Sequence, residues 1–196
     1  MYTIIGGVQS RAFRAVWMLE EIGEPYDHSA VKPRDPLVMA HNPSGKIPVL
    51  LADGTAISDS TAIITYLADK HQKLTYPAGT IERARQDAIT HMLLDELDAV
   101  LWTAARHTFI LPKEKRMPEV KDSLRWEFAN NTARLADLID GPYLAGDKMT
   151  ITDIVATHCL NWAYGAKFPV ESRALLDYSK TVRSRDAFQR TAALAK

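Results

Sequence analysis

Lys46-Ile47-Pro48-Val49-Leu50-Leu51-Ala52-Asp53-Gly54-Thr55-Ala56-Ile57-Ser58-Asp59-Ser60-Thr61-Ala62-Ile63 changes texture three times within one short stretch. Pro48 opens an apolar run, and Ala52-Asp53-Gly54 separates it from Thr55 to Ser58. Asp-Gly between two such runs is a hairpin signal. From Ser60 to His71 the apolar residues Ile63, Ile64 and Leu67 recur at helical spacing. Upstream, Tyr2 to Ile5 is a β-prone run ended by Gly6-Gly7, Arg11 to Ile22 is a helix stopped by Gly23, and Tyr26 to Val31 is a second strand. Because Phe13, Val16, Trp17 and Ile22 lie on overlapping faces, that helix is expected to be covered on more than one side. A βαβ unit, a short irregular piece and a ββα unit make a compact α/β domain over residues 1–75.

Past the junction at 72–79, where Tyr76-Pro77-Ala78-Gly79 breaks periodicity, the chain is helical to its end. Ile81 to Leu111 reads as one long helix ended by Pro112, and Pro118 to Ile139 as a second closed by Gly141-Pro142. Further helices are expected over Ile151 to Tyr164, Val170 to Thr181 and Arg183 to Leu194. Residues 80–196 therefore form an all-α domain. Met149-Thr150-Ile151-Thr152-Asp153-Ile154 carries a capping box, with Thr150 as N-cap and Asp153 at N3, and serves folding.

Composition narrows the function. The 196 residues carry 24 Lys+Arg and 24 Asp+Glu, so no net field gathers nucleic acid or anionic lipid. No apolar window reaches the ~20 residues of a membrane span, and the N-terminus lacks a basic region followed by a long apolar one, so it does not read as a signal peptide. One cysteine, Cys159, excludes an internal disulfide and a Cys-x-x-Cys centre; it reads as a small buried hydrophobe, and the compartment as cytoplasmic. The histidines have no metal-ligand spacing, and no phosphate-cradling glycine loop occurs. The expected partner is a small molecule or another protein.

Three positions admit both a structural and a binding reading. An Ile47-Pro48 bond in the cis form would turn the Ile47 backbone outward to pair with a peptide-like ligand; in the trans form Pro48 only opens an edge strand. Asp59-Ser60 stands at a helix mouth, where free N–H groups favour a carboxylate and Asp59 an ammonium; the same residues are good N-caps. Ser10, at the start of the first helix, either caps it or donates a hydrogen bond to an anion.

Four motifs together resemble the glutathione transferase family over essentially the whole chain. They are Ser10 to Gly23 leading to Pro25-Tyr26, Asn42-Pro43-Ser44-Gly45-Lys46-Ile47-Pro48-Val49-Leu50, Asp59 to Ile63 with Tyr66-Leu67, and Tyr143-Leu144-Ala145-Gly146-Asp147 before the Thr150/Asp153 cap. The resemblance implies a thioredoxin-like first domain, an all-helical second domain and a homodimer. It implies glutathione as co-substrate, no metal, and a small electrophilic, apolar second substrate between the domains, for which Trp102, Arg106, His107 and Phe109 are candidates. Pro48 would be the cis-proline and Ile47 the residue pairing with the cysteinyl part. Asp59 and Ser60 would hold the γ-glutamyl end, and Lys46 would lie near the tripeptide backbone. The loop Gly6-Gly7-Val8-Gln9 has no tyrosine and position 10 is not cysteine, so Ser10, with Arg14 four residues on, resembles the serine-type classes and is the catalytic candidate. An isomerase, dehalogenase or disulfide reductase using glutathione on the same site, or a non-catalytic binding module, are the alternatives. A homodimer is also expected from Met92, Leu93, Leu97, Val100 and Leu101, read as excess apolar surface.

Overall fold

The computed structural model describes residues 1–139 and 141–195; Asp140 and Lys196, both within the stretch assigned to the helical domain, lie outside the described residues. The chain divides into two compact units. One comprises Met1–Thr80 with the described residues from Val182 onward, the other Ile81–Thr181.

In the first unit β1 (Tyr2–Ile5), β2 (Tyr26–Ser29), β3 (Val49–Ala52) and β4 (Thr55–Ser58) form one sheet in the order β2-β1-β3-β4. β1 and β2 are parallel, joined by α1 (Ala12–Ile22), while β3 is antiparallel to both β1 and β4. The expected hairpin closes through Asp53 and Gly54, both at positive φ (50° and 81°), as a two-residue turn matched to strand twist requires. α3 (Ser60–His71) follows β4 directly. This is the thioredoxin-like arrangement of strands and helices. Ile4, Ile5, Val49 and Leu50 are fully buried in the sheet, and so are Ile63, Ile64 and Leu67 on α3.

The broadly apolar α1 is covered on two sides, by α3 and by α9 (Asp186–Ala193). Trp17 is fully buried, with ring centroids 5.0 Å from Phe188 of α9. Arg185 makes an ion pair of 2.7 Å with Glu21, which is only 5% exposed, and Arg190 pairs with Glu20. The last helix, which the sequence groups with residues 80–196, thus packs onto α1 in the first unit. The irregular piece before β3 contains a short helix, α2 (Pro36–His41), capped by Asp35, whose carboxylate accepts from Leu37 N–H.

In the second unit the long first helix is continuous but changes pitch. α4 (Ile81–Leu93) passes through a π-helical turn (Leu94–Asp98) into α5 (Ala99–Ala105) and a second π-helical turn (Arg106–Ile110). α6 (Val120–Asp137), α7 (Ile151–Gly165) and α8 (Arg173–Arg183) complete the bundle. Leu93, Leu97, Val100 and Leu101 are buried within this chain, at 0%, 0%, 4% and 1% exposure. They are core and not the spare apolar surface from which a dimer was expected. Cys159 on α7 is fully buried, as a small hydrophobe would be.

The capping box at α7 is closed. Thr150 Oγ1 accepts from Thr152 N–H, and Asp153 accepts from Thr150 N–H at 2.8 Å, Leu144 N–H at 3.0 Å and Tyr178 O–H at 2.7 Å. Burial pushes the Asp153 carboxyl up and these donors oppose it; burial first, then the adjacent carboxylate, push Tyr178 well above the usual phenol range.

Candidate functional site

Register places the candidate residues of the first unit at one end of the sheet. Ser29 pairs with Ile5, Ile5 with Val49, and Val49 with Ser58, so one row of four residues closes that end. The candidate segments running on from this row are Gly6–Ser10 after β1, Ile47–Pro48 before β3, and Asp59–Ser60 after β4. Sheet geometry alone brings them together.

The loop after β1 is pinned by backbone and side chain. Gly6 N–H donates to Ser29 O at 2.9 Å, Gly7 N–H to Val31 O at 3.0 Å, and His28 Nε2 lies 2.9 Å from Gly6 O. Gly6 has φ 133°, and a Cβ there would stand 2.8 Å from Ile47 Cβ, so only glycine permits this approach of the loop to Ile47. Gln9 Nε2 donates to Ala195 O at 3.2 Å. Ser10 donates its hydroxyl to Gly7 O at 2.8 Å and accepts from Ala12 N–H at 3.1 Å. Both bonds are local, so without ligand the Ser10 hydroxyl serves the start of α1.

The Ile47–Pro48 peptide is cis, the form in which the Ile47 backbone was expected to face outward. Pro48 is buried, Ile47 half-buried and Lys46 exposed. The preceding turn is held by Asn42, whose Nδ2 donates to Lys46 O at 2.9 Å and whose Oδ1 accepts from Ser44 N–H and Oγ–H. The Ile47 N–H and C=O, and Lys46 Nζ, have no hydrogen-bond partner among the described residues.

At the mouth of α3, Asp59 has φ 75° and its Oδ1 accepts from Thr61 N–H at 2.8 Å and Ala62 N–H at 3.0 Å. The capping reading is therefore correct, and it leaves the other carboxylate oxygen of this exposed residue open to a cation. Ser60, 2% exposed, accepts a hydrogen bond at 3.3 Å from Nη1 of Arg14, whose side chain is fully buried. The sequence gives Arg14 only a spacing relative to Ser10. Its burial and its reach to Ser60 have no signature in a single sequence, because arginine is ordinarily exposed.

The candidates on the second unit differ among themselves. Phe109 is 63% exposed, Arg106 Nη2 donates to Thr103 Oγ1 at 3.1 Å, and His107 Nδ1 accepts from Met117 N–H at 3.0 Å. Among the described residues no group of His, Cys, Asp and Glu could hold a metal ion, and no helix is long and apolar enough to cross a membrane.

Residues 10–70 match the N-terminal domain of glutathione S-transferase, and residues 97–186 match its C-terminal domain. A curated glutathione S-transferase-like protein LUC7 from Fusarium is 32% identical over 71% of this chain and 64% of its own length. Glutathione S-transferase GstA of Escherichia coli O157:H7 is 29% identical over 67% of this chain and, again, 64% of its own length. The chain thus spans less than two-thirds of these relatives. The crystal structure of a theta class glutathione S-transferase from Xanthomonas axonopodis pv. citri with glutathione bound is 25% identical, with a TM-score of 0.79 over 97% of this chain and 96% of that one. The two domain matches take in most of the chain and fall in the expected order on the two units, so the protein belongs to the glutathione S-transferase family.

Proposed function

We propose that this protein is a glutathione transferase, joining the glutathione thiolate to a small electrophilic, apolar substrate. The observation that carries the reading is the row Ser29–Ile5–Val49–Ser58, beyond which the Ser10 loop, the unpartnered Ile47 backbone and the open mouth of α3 converge. Each meets a different part of a γ-glutamyl tripeptide. Ser60, at the positive end of the α3 dipole, takes the terminal carboxylate, and the free oxygen of Asp59 takes the ammonium. The Ile47 N–H and C=O, beside Pro48, pair with the cysteinyl backbone as an added strand would. Lys46, a cation with no partner among the described residues, lies near the tripeptide backbone.

Held this way, the thiol is at the start of α1. A thiol of pKa ~8.5 is mostly protonated at neutral pH and reacts as its anion. Ser10 turns its hydroxyl from Gly7 O to the sulfur, which stabilises the anion and lowers its pKa. The thiolate then attacks an electrophilic carbon, forming a C–S bond as the leaving group departs or a ring or double bond opens. The protein acts in the cytoplasm as a homodimer; that dimer rests on the family likeness alone, now that Leu93, Leu97, Val100 and Leu101 are core.

The test is incubation of the purified protein with glutathione and a panel of activated aryl halides, epoxides and enones, with thioether products identified by mass. Enzyme-dependent conjugation that saturates in glutathione supports transferase chemistry. Glutathione binding with no turnover on the panel replaces it with a binding module, and conversion without net consumption of glutathione replaces it with an isomerase. Light scattering at twice the 21.9 kDa chain mass supports the dimer, and a stable monomer contradicts it.

A further inference from the structure

Arg14 is among the largest fully buried side chains of the protein, and it crosses from α1 to the first residue of α3. A guanidinium has donors only. Ser60 Oγ is therefore the acceptor in the Arg14–Ser60 bond. The hydroxyl hydrogen is not used on Arg14 and remains available to another acceptor. The neighbouring N–H groups of Thr61 and Ala62 are already taken by Asp59. Ser60 thus keeps its own donor uncommitted at this helix end, beside the buried Thr61 hydroxyl, which has no hydrogen-bond partner among the described residues.

We propose that Arg14 is a positioning residue for the anionic end of the ligand. It orients Ser60 as a donor and sets a fixed positive charge behind the helix terminus, where low dielectric and the helix dipole both strengthen its effect on a bound carboxylate. The proposal rests on the glutathione reading above. The group recognised is the α-carboxylate of the γ-glutamyl unit, and the residue does not touch the reacting sulfur.

The experiment compares two ligands on three proteins: glutathione, and γ-aminobutyryl-cysteinyl-glycine, which is glutathione without that carboxylate, titrated into wild type, Arg14→Met and Arg14→Lys. Arg14→Met is expected to weaken glutathione by about ten- to a hundred-fold, the scale of one hydrogen bond to a charged group. It should leave the decarboxylated peptide nearly unchanged. Arg14→Lys keeps the charge but not the fork, and falls between. If Arg14→Met does not fold, Arg14→Lys is read by the same criterion. A loss confined to glutathione supports the proposal; an equal loss for both peptides, or none for either, overturns it. Wild type that binds neither peptide removes the glutathione reading, whereas wild type that binds both alike removes the carboxylate site and this proposal but leaves that reading standing, which separates the two failures from each other and from a failure at Arg14 alone.

Discussion

Two helix mouths in this protein use the same chemistry to opposite ends. At α7, Thr150 and Asp153 are buried, and each oxygen facing the helix end has a donor: Thr152, Thr150, Leu144 or Tyr178. At α3, Asp59 is exposed, uses one carboxylate oxygen on two N–H groups and leaves the other open, while Ser60 keeps its proton because its partner is an arginine. Both are N-caps. The closed mouth stabilises a fold, and the open one retains hydrogen-bonding capacity for something else. Residue type does not distinguish a cap from a site; the unused valence of the cap does.

Asp153→Ala should give the largest effect at the closed mouth. It leaves two buried N–H groups and the Tyr178 hydroxyl without their acceptor, at a cost of about 3–5 kcal/mol. Thermal denaturation should show a drop large enough to compromise folding, and an unchanged midpoint would mean that α7 does not depend on its box. A pH series sharpens this. Burial raises the folded Asp153 pKa above its unfolded value, so the folded state holds the proton to higher pH than the unfolded chain. The Asp153 contribution is therefore fully present below the ordinary carboxylate range, near pH 4, and declines as pH rises from there through the raised folded value. Asp153→Asn, which does not titrate, should abolish that slope in denaturant midpoints measured against pH.

Ser10→Ala comes next. Its two local hydrogen bonds set a stability loss of about 1 kcal/mol. If the hydroxyl also turns to the sulfur, turnover falls roughly 10- to 1000-fold, about 1.4–4 kcal/mol in the barrier. Glutathione affinity should be nearly unchanged, and the apparent pKa of the pH–rate curve should move upward as the thiolate loses a donor. A less stable mutant with equal turnover and an unmoved pKa would leave Ser10 a cap like Thr150.

The smallest effect belongs to Asp59→Ala. An exposed cap is worth about 1 kcal/mol of stability, so the open mouth should be far more tolerant than the closed one. Loss of the carboxylate facing the ammonium should weaken glutathione about tenfold. Equal stability losses at Asp59 and Asp153 would remove the distinction between the two mouths.

What a single sequence reveals follows the same division. The hairpin at Asp53-Gly54, the α7 capping box and the covering of α1 on two sides were legible because each is a local pattern of residue types. α2 was missed: a six-residue helix with one buried side chain, Val38, is too short for periodicity, although Asp35-Pro36 marks its start. The π-helical turns at Leu94–Asp98 and Arg106–Ile110 leave the apolar spacing nearly intact, so the pattern reads as one plain helix. Amphipathicity shows that α9 buries a face but not against what, and Phe188 could as well have joined the helical bundle as Trp17. At the candidate site, strand and cap chemistry singled out Asp59, Ser60, Ile47 and Pro48 as positions open to either a structural or a binding reading, and the family resemblance supplied the binding one. The burial of Arg14 and its bond to Ser60 were not legible, since that contact spans 46 residues and no local rule encodes it.

The most direct test is calorimetric titration of glutathione into wild type and Ser60→Ala, at a temperature where both are folded by circular dichroism. The expected result is saturable binding at one site per chain in wild type, weakened about tenfold or more in Ser60→Ala. A folded wild type that gives no binding heat and no displacement of a fluorescent glutathione analogue, or a Ser60→Ala that binds as tightly as wild type, would contradict a glutathione site at the open mouth of α3.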